Sequence, residues 1–353
     1  MDLSYKLIFL KVCDYNKNMI NKFSTKLLCA LCGMFFLFLS FSFGFASKEK
    51  NNVPESINMA VLNGPSGMCF AYLFENVSKI DNTSIYYEVC ASPDVLLPKL
   101  LKGELDIGIL PPNVATKVYS SQPDSIILAA VSGFGMLNLV STDKTIKSLE
   151  DLKGKTVYVA GQGATPEYIF RAILEKSGIN QNGENSVTLD FSIPTSELAA
   201  AIVSGKVDYA VVPEPFATVA VLRSSEKLKV YRSLDLQIIW SEFFNTDTFP
   251  MTTIVVRKEF AKKYPALVNS FLQEAENSIK WTNQNTYEAS LLVEKHTLGL
   301  KAQIAEKAIP NCAFGFSPAK EAKPQIELLL QTFLKYAPAS VGGKLPDDNF
   351  YFE

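Results

Sequence analysis

Histidine is almost absent from this chain: His296 is the only one in 353 residues. Arginine is scarce as well, with Arg171, Arg223, Arg232 and Arg257 making up the full set. No GxSxG, HExxH or P-loop pattern occurs, so the motifs of nucleophilic hydrolysis, zinc proteolysis and nucleotide binding are missing. Of six cysteines, Cys13, Cys29 and Cys32 lie near the N-terminus, leaving Cys69, Cys90 and Cys312 without CxxC spacing among them. These three read as small buried thiols in preference to a Cys69–Cys90 disulfide. These absences lead us to expect no catalytic residue, no metal site and no cofactor.

What is present begins with an export signal. Lys22 and Lys26 precede LLCALCGMFFLFLSFSFGFA (27–46), which holds no charge and ends in Gly44-Phe45-Ala46 before Ser47. A basic start, an apolar run and a small-x-small end form the pattern cut by signal peptidase, so residues 1–46 are assigned as a signal, with Met19 as its expected start. A run of about 20 residues would span a bilayer if uncleaved, and a lipoprotein would need its Cys at the end of the run. Cys29 and Cys32 stand at its start, so cleavage is preferred to an anchor, and an anchor to lipidation. Removing five lysines and two aspartates from totals of 34 and 36 leaves 29 basic and 34 acidic residues, a formal charge of −5. Nucleic acid and anionic membrane surfaces need concentrated positive charge, so neither is expected as a partner.

From Ile57 onward, strand-length apolar runs alternate with segments of helical period. INMAVL (57–62), SIYYEVC (84–90) and LDIGIL (105–110) read as strands, with helices after each; SIILAAV (125–131) leads through Gly133 and Gly135 into MLNLVST (136–142). The order then repeats with KTVYVAG (155–161), VTLDFSI (187–193) and VDYAVV (207–212) as strands. In the second set Thr165 is expected to cap the helix that follows, as Asn113 is in the first. Two such sets imply two parallel-type α/β domains. After Leu234, FPMTTIVVRKEF (249–260) holds one strand and helices follow to about Tyr336, with no third sheet, so this segment is expected to fold back on the first domain.

One unit appears twice. KGELDIGILPPNVAT (102–116) and SGKVDYAVVPEPFAT (204–218) match at Gly103/Gly205, Asp106/Asp208, Pro111/Pro213 and Thr116/Thr218. In each, a helix stops at Gly, a strand follows Asp, and a Pro-marked turn opens a new helix. Ligands of open α/β sheets bind beyond the carboxyl ends of strands. Four loops are therefore expected to face one cleft, around Gly64–Met68, Pro111–Asn113, Gly161–Thr165 and Pro213–Phe216. The matched aspartates begin their strands at the far end and point to turn structure rather than acid–base chemistry.

The two sets, the export signal, SLEDLKGKTVYVAGQGATPEYIFRAILEKSG (148–178) and VPEPFAT (212–218) resemble solute-binding proteins of ABC importers, of the nitrate/sulfonate/taurine and thiamine-precursor type. NGPSGM (63–68), RKEFAKKYP (257–265) and SVGGKLPDD (340–348) share the resemblance, which runs from about Ile57 to Glu353. It departs at Pro98, inside an expected helix, which should kink that helix or delay its start. The resemblance implies a two-lobed class II periplasmic-binding-protein fold, each lobe a mostly parallel sheet flanked by helices, joined by a two-crossing hinge. Lobe one would take residues 53–135 and 250–353, and lobe two 136–249. It also implies an exported monomer, in the periplasm or on the outer face of the cytoplasmic membrane, that delivers a small solute to an ABC permease and its ATPase.

The expected ligand-binding set is Gly64, Pro65, Ser66, Gly67, Met68, Pro112, Asn113, Phe134, Gly163, Ala164, Thr165, Glu214 and Phe216. None of the four arginines falls in these loops, whereas Glu214 does. That favours a cation, an amine or a hydroxyl-bearing ring, and a neutral or cationic heteroaromatic such as a pyrimidine vitamin precursor is expected ahead of a sulfonate. Two rivals remain: an enzyme on the same fold, like the thiamine-pyrimidine synthases, and a membrane-anchored sensor. The synthases need an active-site histidine and a Cys-rich metal motif; here His296 reads as a surface residue near a helix end, and no Cys cluster follows the leader.

Overall fold

A computed structural model describes residues 53–181, 183 and 185–353. The proposed signal, 1–46, with Met19, Cys13, Cys29 and Cys32, lies outside the described residues.

Seven strands form the larger sheet: β1 (Ser56–Leu62), β2 (Lys79–Ile80), β3 (Thr83–Cys90), β4 (Ile107–Leu110) and β5 (Ile126–Phe134), with β11 (Pro250–Arg257) and β12 (Phe314–Pro318) returning late in the chain. Their order is β12-β5-β11-β4-β1-β3-β2. The smaller sheet holds β6 (Leu137–Ser141), β7 (Thr156–Val159), β8 (Thr188–Asp190), β9 (Tyr209–Pro213) and β10 (Tyr231–Asp235), in the order β10-β6-β9-β7-β8. The chain passes from the larger sheet to the smaller through Gly135 and Met136 and returns after the helix that follows β10. Ile57, Met59, Ala60 and Val61 of β1 are all fully buried, as a central strand covered on both faces requires.

The fold is two-lobed α/β, but its sheets are mixed rather than mostly parallel. β1 pairs in parallel with β3 and β4, and β7 with β8 and β9. The strands flanking the crossings, β5, β6, β10 and β11, run against their neighbours. β6 follows β5 with no helix between them to restore its direction. β12 was not anticipated; its FGFSP is only five residues long and ends in Pro, and pairing with β5 defines it.

The helices in chain order are α1 (Pro65–Met68), α2 (Ala71–Asn76), α3 (Pro93–Lys102), α4 (Pro112–Ser121), α5 (Thr165–Lys176), α6 (Thr195–Val203), α7 (Phe216–Arg223), α8 (Leu236–Phe244), α9 (Lys258–Lys263), α10 (Pro265–Gln284), α11 (Thr286–Lys295), α12 (Ala302–Ala308) and α13 (Ala319–Tyr336). Pro98 does not delay α3, which begins at Pro93 and runs through it to a left-handed Gly103. Neither expected cap forms. Asn113 is inside α4, which Pro111 precedes, and Thr165 is the first residue of α5, which Ala164 precedes.

Three apolar clusters fill the molecule. One lies beneath α10, α11 and α12 on the larger sheet, and one beneath α6 and α7 on the smaller. The third crosses between lobes, joining Leu110, Ile126 and Val131 to Leu137, Val157 and Val211 through Trp240, Phe249 and Phe333. Cys69, Cys90 and Cys312 are buried free thiols, and burial pushes the Cys69 and Cys312 thiols well above their usual range. His296 is not a loose surface residue. Its Nδ1 lies 2.5 Å from Tyr87 Oη and its Nε2 2.8 Å from Glu75 Oε2, at the end of α11.

Candidate functional site

The doubled unit explains how the site is placed. Asp106 and Asp208 hold strand entries: Asp106 Oδ2 accepts from Asn58 N at 3.0 Å, and Asp208 Oδ1 from Thr142 Oγ1 at 2.8 Å. Gly103 and Gly205 both take left-handed backbone, with φ of 78° and 74°. The units diverge at their ends. Thr116 Oγ1 donates to the carbonyl of Pro112 four residues back, at 2.9 Å, whereas Thr218 Oγ1 donates to the Glu214 carboxylate at 2.8 Å.

A cavity of about 500 Å³ opens beside the second unit. From the larger lobe come Leu62–Ser66, after β1, and Gly299 and Leu300, after α11. From the smaller lobe come Ser196, Ala199 and Ala200 of α6, the Pro213–Phe216 turn, and Val219 and Arg223 of α7. The crossings contribute Met136, Met251 and Thr252. Gly64 N donates to Leu298 O at 3.0 Å, which ties the first loop to the Gly299 turn. Met136 has φ of 58°, in the left-handed region that side chains rarely adopt, and its carbonyl accepts from Glu214 N at 2.8 Å. The backbone of the first crossing thus holds the turn that forms one wall.

Of the expected residues, Gly64, Pro65, Ser66, Glu214 and Phe216 line this cavity. Gly67 and Met68 are buried behind it, and a Cβ on Gly67 would come within 3.0 Å of the Leu62 carbonyl. Pro112 and Asn113 are not in its wall: α4 packs beside β11, and the neighbouring Leu110 carbonyl accepts from Thr253 Oγ1 at 2.8 Å. Phe134 is turned toward β12 and lies against Gly315. Gly163, Ala164 and Thr165 are also outside the wall. There Glu167 folds back to accept from Gly163 N at 2.7 Å and pairs with Arg171 Nε at 2.8 Å, so the helix start carries its own carboxylate.

The role foreseen for Glu214 changes. Its side chain is fully buried, with Oε1 paired to Arg232 and Oε2 accepting from Thr218 N at 3.2 Å and Thr218 Oγ1 at 2.8 Å. Arg232 Nη2 donates to the same threonine at 2.5 Å. Both carboxylate oxygens are therefore spent inside the lobe, and their charge is compensated, which removes the argument for a cationic solute. Ser66 is likewise committed: its hydroxyl donates to Leu62 O at 2.9 Å and accepts from Leu62 N at 3.1 Å. Arg223, not anticipated, is an exposed lining residue that makes no ion pair or hydrogen bond among the described residues. Its distance in sequence from the turn hid it: seven residues after Phe216, it is two helical turns further along α7. No cluster of His, Cys, Asp and Glu that could hold a metal occurs among the described residues, and no described helix is long and apolar enough to cross a membrane.

Residues 70–292 match the family model for "ABC transporter, phosphonate, periplasmic substrate-binding protein". The chain belongs to this family. The architecture agrees: an ABC transporter from Parabacteroides distasonis superposes with a TM-score of 0.72 at 28% identity, covering 85% of this chain and 99% of that one. The periplasmic aliphatic sulphonate binding protein SsuA of Escherichia coli matches with a TM-score of 0.62 at 19% identity over 80% of this chain and 88% of its own. The periplasmic nitrate-binding protein NrtA of Synechocystis PCC 6803 matches at 0.55 and 14%, over 80% and 82%. No curated protein matches the chain. As a periplasmic substrate-binding protein, it is of a family that implies a small-molecule ligand, an extracytoplasmic location and an ABC permease with its ATPase.

Proposed function

We propose that this substrate-binding protein captures a small solute with an apolar body and an acidic head, such as an aryl or alkyl sulfonate, phosphonate or carboxylate. The observation that carries this reading is Arg223, among the described residues the cavity's only lining cation and one without an ion pair. With Glu214 neutralised by Arg232, that guanidinium leaves the lining with a net positive charge. The solute's body would lie against Phe216, Met136, Met251 and the flanking prolines, where polarisable sulfur and ring faces favour flat or branched apolar groups. The relatives named for sulphonate and nitrate lend support, since both bind oxyanions.

The lobes in this reading are residues 53–135 with 250–353, and 136–249, hinged at Gly133–Met136 and Phe249–Thr252. The protein works as an exported monomer freed of residues 1–46, binds without chemical turnover, and passes its solute to the permease. A thermal-shift series tests it. Benzenesulfonate, phenylphosphonate and benzoate should stabilise the protein with the logarithm of their concentration, and Arg223→Gln should weaken the best of them about tenfold. If neutral pyrimidines stabilise it and the acids do not, the acidic-head assignment fails.

A further inference from the structure

Ser132 and Thr252 face each other across β5 and β11, with their hydroxyl oxygens 3.0 Å apart. Each oxygen carries one hydrogen, and only one of the two can lie between them. Ser132 is fully buried, and its hydroxyl has no other hydrogen-bond partner, side chain or backbone, among the described residues. If Thr252 donated, the Ser132 hydrogen would be stranded where neither protein nor solvent could accept it, at the cost of an unsatisfied buried group. Ser132 must therefore donate and Thr252 accept. Thr252 is partly exposed and lines the cavity, so its own hydrogen is left for the cavity side.

A second observation agrees. Gly133 carries no side chain beside this pair, and a Cβ there would fall 2.7 Å from Thr252 Oγ1 and 3.2 Å from Met136 Cε. The space around the Thr252 hydroxyl is kept open by that glycine. Of the other lining hydroxyls, Ser66 spends its hydrogen on Leu62 and Ser196 is exposed.

We infer that Thr252 is a specificity-determining donor that reads a hydrogen-bond acceptor on the solute, and that Ser132 is the positioning residue that fixes its direction. The inference deepens the reading above, because it requires the solute to sit at the crossings as well as near Arg223. It favours acceptor atoms on the solute, whether sulfonate, phosphonate or carboxylate oxygens or a ring carbonyl, because the Thr252 hydrogen is free to donate.

Stability and binding are measured on Thr252→Val, Thr252→Ser, Ser132→Ala and the Ser132→Ala/Thr252→Val pair, with benzenesulfonate, phenylphosphonate, benzoate and uracil as probes. Thr252→Val should lower the melting temperature more than Ser132→Ala, because it strands the Ser132 hydrogen, and the double variant should recover most of that loss. For the best probe, Thr252→Val and the double variant should both lose about tenfold in affinity, while Thr252→Ser keeps it. Recovery of stability without recovery of binding separates recognition from folding. Binding by Thr252→Val equal to the parent overturns the inference and leaves the Arg223 reading standing. A Thr252→Val no less stable than Ser132→Ala overturns the hydroxyl direction, and a parent protein that binds none of the four probes overturns both.

Discussion

Glu214 is the residue whose surroundings decide most about the site. A carboxylate with no exposed side-chain surface is tolerable only because Arg232 and Thr218 meet both its oxygens. Arg232→Met should therefore cost about 3 to 5 kcal/mol in urea unfolding by stranding a buried charge. Glu214→Gln/Arg232→Met should recover most of it. Equal losses in the single and double variants would show that the pair is not what Arg232 supplies. Glu214 was legible as the odd residue in a repeated unit. Its partner was not, because Arg232 lies on β10, eighteen residues on, and no local pattern joins them.

At the scale of elements, the crossings and one helix pair stand out. Gly135 has φ of 54°, and a Cβ on it would fall 1.5 Å from Gln237 Oε1 of α8. Gly135→Ala should destabilise the protein by about 1 to 3 kcal/mol, and adding Gln237→Ala should restore part of that in thermal unfolding, leaving the backbone cost. Between α5 and α13, Glu175 pairs with Lys335 and accepts from Tyr336 Oη at 2.5 Å, and these two, Lys335 first, hold its carboxyl below the usual range. A lowered carboxylate contributes stability above its unfolded pKa of about 4.3 and loses it as pH falls through the folded value. The Glu175→Gln protein should thus show a shallower loss of stability than the parent on acidification below about pH 4. Acid titrations that superimpose would remove this bridge from the account. Glycines 133 and 135 marked the first crossing in the sequence, whereas the Glu175 bridge joins residues 160 positions apart and had no sequence signal.

The whole molecule differs from two lobes on a thin hinge. An apolar cluster passes from β4 and β5 into β6, β7 and β9 through Trp240 and Phe249, so the lobes share part of one core. Calorimetry should accordingly show a single cooperative transition for residues 47–353. Two resolved transitions would mean that the lobes unfold independently. The β1 loop and the α6–α7 wall face each other from opposite lobes around the cavity.

Alternating apolar runs, glycine stops and a duplicated unit were enough to determine an α/β chain of two lobes with loops meeting at strand ends. Those are local signals, set by backbone geometry and the period of burial within a few residues. The mixed strand directions, the shared core and the choice of two loops over four were decided only by tertiary structure. They depend on how strands from distant parts of the chain pair at the crossings. Charge in the site followed the same rule: the sequence showed Glu214 in a turn, and folding neutralised it with Arg232 while bringing Arg223 to the cavity wall.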